Sequence, residues 1–153
     1  MNILSYEIIL GILLNINVAV IIRLVVGDSP FRIDLHKMKE IPYPPYVESF
    51  KLVRVVFVAI ILYMGYPASF YITHTSKFLL YLLFWCPTIL WWSAFSASYF
   101  KSCIFLSVGN AMYMICLFDP LLLPLLVWNV FCTYLSLWYK AHAIEDPIDI
   151  LNV

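Results

Sequence analysis

CIFLSVGNAMYMICLFDPLLLPLLVWNVFCTYLSLWY, residues 103–139, is a run of thirty-seven residues without Lys, Arg, His or Glu, and its single carboxylate, Asp119, is followed at once by Pro120. As one helix rising about 1.5 Å per residue it would extend roughly 55 Å, almost twice the ~30 Å hydrocarbon core of a bilayer. One straight span is therefore excluded. Proline removes a helical N–H, and the residue before it avoids the helical region, so Phe118-Asp119-Pro120 is the expected point of reversal. Two short spans result, at 102–118 and 121–139, with almost nothing between them.

Composition agrees with that solvent. The 153 residues are 64% hydrophobic and 12% charged, against about 25% charged in a soluble domain. Mean hydropathy is +0.93. Nine basic residues balance nine acidic ones, so no bulk positive field attracts nucleic acid, and none is expected as a partner. The four glycines are fewer than the roughly eleven that average usage would supply, which leans against a machine whose helices slide past one another. Cys86, Cys103, Cys116 and Cys132 all sit in hydrophobic stretches without a C-x-x-C, and read as small buried apolar side chains. None of the six asparagines begins an Asn-X-Ser/Thr sequon.

The remaining chain supplies three more spans, at 3–26, 52–72 and 78–100. The first has its basic residue, Arg23, after the apolar run, the reverse of a signal peptide, so a retained span is expected. Asn15 and Asn17 lie at mid-depth on different sides of that helix, where an unpaired amide is unfavourable in lipid, so at least one should face a neighbour. The polar loop 27–51 contains Ser29-Pro30, a helix-start signal. Phe31, Leu35 and Met38 then fall on one face of a short amphipathic helix expected to lie in the membrane interface. The run 41–46, IPYPPY, reads as an extended, stiff connector. Residues 73–77 read as a turn. In the third span Ser93 and Ala97, and in the fourth Ser107 and Ala111, place small residues four apart, which favours close packing of these two helices. A tail at 140–153 carries Glu145, Asp146 and Asp149 around Pro147.

Five spans put Arg23, Arg32, Lys37, Lys39, Lys51, Arg54, Lys101 and Lys140 on one side and only Lys77 on the other. Eight against one is what the positive-inside rule favours; four spans would move Lys140 across and give seven against two. The expected architecture is a single all-α multi-pass integral membrane domain over 1–153. It has about five transmembrane helices, four being the alternative, and one interfacial helix. The 27–51 loop and carboxyl terminus are expected on the cytosolic or matrix side.

Function is less legible. Ionisable groups at mid-depth would mark an ion path. The spans hold Glu7, Arg23 and Arg54, each near an end, and Asp119 stands at the break between the last two, where turn chemistry is the leading reading. His36, His74 and His142 lie at loops or ends, away from the facing positions that haem ligation needs, and no hydrolase, phosphate-loop or metal-spaced motif occurs. No catalytic residue, cofactor or metal ligand is assigned; bound lipid is the expected small-molecule companion. Asn15, Asn17, Ser93, Ala97, Ser107, Asn110, Ala111, Asp119 and Asn129 are the candidate helix-contact or partner residues. The leading expectation is a non-catalytic structural or assembly subunit of a larger, respiratory-type membrane complex, with the mitochondrial inner membrane the favoured setting. Its partners are then other membrane subunits and the bilayer. The alternatives are a small homo-oligomeric transporter or channel using Asp119, and behind it a lipid-modifying enzyme or a haem- or quinone-binding subunit involving His74.

Overall fold

In a computed structural model the described residues are 3–26, 42–47, 49–72, 75–96 and 99–142. They form five long helices and one turn of 3-10 helix, with no strand among them: α1 (Ile3–Val26), α2 (Phe50–Tyr71), α3 (Thr75–Ser96), α4 (Phe100–Leu117), the 3-10 turn (Pro120–Leu122) and α5 (Leu123–His142). Four stretches are long and apolar enough to cross a membrane: Lys51–Tyr71, Thr75–Phe95, Phe100–Leu117 and Pro120–His142. α1 adds 24 helical residues that include the apolar stretch Tyr6–Ile22. The expected interfacial helix, with Phe31, Leu35 and Met38, and the tail beyond His142 lie outside the described residues, as do His74 and Ala97.

Helix ends obey local chemistry. Ser49 caps α2, its hydroxyl accepting from the Leu52 N–H. α4 ends where Phe118 turns left-handed, at φ 54°, and Asp119 immediately after it caps the 3-10 turn. The Asp119 side chain accepts from the Leu121 N–H, and Pro120 stands at the first position of that turn, where a missing N–H costs nothing. The reversal thus occupies Phe118 and Asp119 alone. Pro67 and Pro87 lie inside α2 and α3.

Two local expectations need correction. The 73–77 turn is shorter, because α3 is already helical at Thr75. The 41–46 connector is not extended throughout. Val47 N–H donates to Pro44 O at 3.1 Å across Pro45 and Tyr46, and Tyr46 has φ 70°. That is a type II turn, with proline at its second position and a tyrosine where glycine is usual. The segment is held against α5, since Tyr134 Oη donates to Pro45 O and Trp138 Nε1 to Pro42 O.

Pairings across the bundle fix its direction. Asn15 lies opposite Ile61, and Gly11 opposite Gly65, so α1 and α2 run antiparallel. Thr88 faces Asn110 and Leu80 faces Tyr113, so α3 and α4 do too. Asn129 and Tyr139 of α5 meet Asn110 and Phe100 of α4 in the same sense. α5 is also antiparallel to α2, through Phe57–Trp128 and Tyr63–Leu121. Consequently the amino end of α1 and the carboxyl end of α5 lie at opposite ends of the bundle. The core between α2, α3 and α5 is aromatic: Phe57, Trp92 and Trp128 contact one another with centroids 5.2 to 6.1 Å apart. At one end Phe95, Phe100 and Tyr139 pack together.

Candidate functional site

Among the described residues, buried polar side chains concentrate in the middle of the bundle, where α3, α4 and α5 meet. Asn110 is 4% exposed, and its Nδ2 lies 3.0 Å from Phe84 O, 3.0 Å from Thr88 Oγ1 and 3.1 Å from Asn129 Oδ1. Asn129 Nδ2 donates to Leu125 O one turn back on its own helix. Thr133 Oγ1 lies 2.8 Å from Ser107 Oγ and 2.9 Å from Asn129 O, and Ser107 also donates to Cys103 O. α4 and α5 bring hydroxyls or amides on successive turns and α3 adds Thr88, so the polar groups stack into one column. All are neutral. An amide nitrogen has two protons, so Asn110 serves two of its three acceptors at a time, and among the described residues its buried Oδ1 has no hydrogen-bond partner. Trp91 Nε1 adds a further tie, donating to Ser136 Oγ at 3.0 Å between α3 and α5.

A second group sits where α2 and α4 end and α3 and α5 begin. Tyr71 Oη donates to Asp119 Oδ2 at 2.7 Å, while Asp119 Oδ1 accepts the Leu121 N–H at 3.0 Å. Both carboxylate oxygens are thus engaged, one by the turn and one by α2. Tyr63 Oη reaches Leu121 O from the same helix. Phe70, Lys77, Leu80 and Leu117 complete a shallow open groove beside Tyr71 and Asp119.

The predicted contact residues have different environments. Asn15 is fully buried; its Nδ2 donates to Ile61 O at 3.2 Å, and its backbone carbonyl accepts from Trp85 Nε1 at 3.4 Å, so it ties α1 to α2 and α3. Asn17 is exposed and, among the described residues, bonds only within its helix, to Leu13 O. Ser93 is buried, but among the described residues its hydroxyl has no hydrogen-bond partner, and Ala111 is half-buried. The α3–α4 contact carries Asn110, Thr88, Cys103 and Tyr113, while the Ser107 hydroxyl is engaged by α5.

Sequence reasoning missed Thr88, Thr133, Ser136 and Tyr71, whose hydroxyls become distinctive only when a facing helix supplies their partner. It also passed over two of the scarce glycines. A Cβ on Gly11 would run into the Gly65 carbonyl, and one on Gly65 into Ile12, so the backbones of α1 and α2 touch there. The four-residue spacing of Gly11, Asn15 and Ala19 was the legible signal. Among the described residues no group of three or more His, Cys, Asp or Glu side chains is placed to hold a metal.

Comparison with protein-family models, with curated proteins and with solved structures finds no match for this chain. The functional reading therefore rests on the geometry of the bundle.

Proposed function

We propose that this chain is a multi-pass integral membrane protein that serves as a non-catalytic structural or assembly subunit of a larger membrane complex. The observation that carries the reading is an apolar outer surface around a core that also holds bonded polar side chains. Asn15, Thr88, Ser107, Asn110, Asn129 and Ser136 are buried, while Leu52, Leu83, Phe105, Met112, Val127 and Leu137 are exposed. A water-soluble bundle would not leave so many large apolar side chains on its outer faces, where they call for cover by lipid or protein. The buried amides and hydroxyls bond one helix to the next, which is the use expected of polar groups that hold a bundle in register. Asp119 likewise closes a turn. Lipid covers much of the outer surface in this reading; Lys101, Ile104, Phe105, Val108, Gly109 and Met112 line a shallow groove on α4 suited to an acyl chain.

By the positive-inside rule the side carrying Lys51, Arg54, Lys101 and Lys140 faces cytosol or matrix, and an energy-transducing membrane such as the mitochondrial inner membrane is the proposed setting. The test is purification of tagged chain in mild detergent, followed by native electrophoresis and mass spectrometry. Co-migration with other membrane proteins at fixed stoichiometry is expected. A chain that purifies without partner proteins and moves a solute across reconstituted vesicles, with flux altered by Asp119→Asn, would replace this reading by that of a transporter.

A further inference from the structure

α1 presents two opposite faces. Gly11, Asn15 and Ala19 are buried in the chain's own bundle. About 180° away, at 100° per residue, are Tyr6, Leu10, Leu13, Asn17, Val20 and Leu24, all exposed. Their numbers differ alternately by four and three, the spacing of a heptad seam, with Leu10, Asn17 and Leu24 at one equivalent position and Tyr6, Leu13 and Val20 at the other. An amide thus stands among apolar residues near the middle of an outward-facing helix. Asn17 Nδ2 donates to Leu13 O at 2.8 Å, and among the described residues Asn17 forms no other hydrogen bond. One N–H and the side-chain oxygen remain for a neighbour.

Symmetry and the amide together identify the occupant. Copies of one chain inserted with the same orientation are related by an axis along the membrane normal, so a residue on that axis meets its own counterpart. A carboxamide is both donor and acceptor and can satisfy an identical carboxamide. A single asparagine in a heptad seam also favours one register and a defined oligomer. We propose that a second copy of this chain docks on the outer face of α1. The two α1 helices pair in parallel through the seam, and the two Asn17 side chains bond to each other. The inference rests on the proposed membrane location.

The test uses the full chain in native membranes washed with alkaline carbonate. Cys116, the exposed thiol, is changed to Ser in the cross-linking background; Cys103 and Cys132 are buried and Cys86 half-buried. Under copper-phenanthroline oxidation Leu13→Cys, on the seam, should yield a disulfide-linked dimer. Ile16→Cys, exposed but off the seam, should not. In a detergent dilution series Asn17→Leu should weaken the dimer about 3- to 30-fold, from the strength of one interhelical polar bond, while Asn17→Gln, which keeps the amide, should stay near the unmodified chain. An unmodified chain that remains in the washed membranes but is monomeric overturns the inference and leaves the membrane reading standing. So does equal cross-linking at both positions, or a dilution curve unmoved by Asn17→Leu. Release of the chain by carbonate overturns the membrane reading, and the inference with it.

Discussion

Substituting alanine for glycine should have opposite effects at Gly11 and Gly109. At Gly11 the new methyl meets the Gly65 carbonyl and also approaches the Ala68 side chain at 3.2 Å, so the obstacle is backbone that no rotamer change can clear. α1 must then move outward from α2. Over-packing of this kind costs about 1–3 kcal/mol. The movement also stretches the Asn15–Ile61 bond, already 3.2 Å, and interhelical bonds in membranes average about 0.6 kcal/mol. Against this, replacing a mid-helix glycine gains roughly 0.5–1 kcal/mol of backbone entropy. The balance for Gly11→Ala is a loss of about 0.5–3 kcal/mol. At Gly109 nothing lies within 4 Å of the added methyl, so only the entropy term acts, and Gly109→Ala should gain roughly 0.5–1 kcal/mol. The assay is reversible unfolding in mixed micelles with increasing SDS, monitored by tryptophan fluorescence. Trp85, Trp91, Trp92 and Trp128 are buried, so the signal reports the core. Gly11→Ala as stable as the unmodified chain, or Gly109→Ala equally destabilised, would refute the proposed contact between the α1 and α2 backbones.

The same assay checks the other predictions. Asn110→Ala should cost about 1–3 kcal/mol, since at most two interhelical bonds of up to ~1.7 kcal/mol each are lost. A double-mutant cycle with Asn129→Ala should show coupling, and additive losses would contradict their direct bond at 3.1 Å. Asp119→Ala should cost about 1–2 kcal/mol by removing both the cap and the Tyr71 partner, whereas Tyr71→Phe, which leaves the cap, should cost less. Phe118→Gly should stabilise by roughly 1 kcal/mol, because a 90% exposed aromatic at φ 54° gives up little packing and the left-handed conformation favours glycine; a loss of stability would show that the ring has an unrecognised contact.

The contrast between Asn15 and Asn17 shows where sequence reading reaches its limit. Their position along α1 is set by numbering and helical rise, and the cost of leaving an amide unpaired in apolar surroundings by its chemistry. Which one faces inward depends on where α2 lies, and two residues of spacing turn the side chain by about 200°. Asp119 was legible in a different way. Asp-Pro at the centre of an overlong apolar run marks a reversal by local sterics alone, so the break needed no tertiary information. Its second partner, Tyr71, is forty-eight residues away in the chain and became visible only once α2 and the reversal shared one end of the bundle.

Sequence alone determined the helical class, the apolar lengths, the break at Phe118-Asp119 and the inventory of uncharged polar residues, because these depend on side-chain chemistry and on interactions within a turn or two. Tertiary structure alone decided that Thr88, Asn110, Asn129, Thr133 and Ser107 form one column, that Gly11 meets Gly65, and that the Asn17 face is left outward. Those facts depend on the rotation and axial offset of whole helices. In apolar surroundings many rotations bury similar area, and the interhelical hydrogen bonds and backbone contacts select among them.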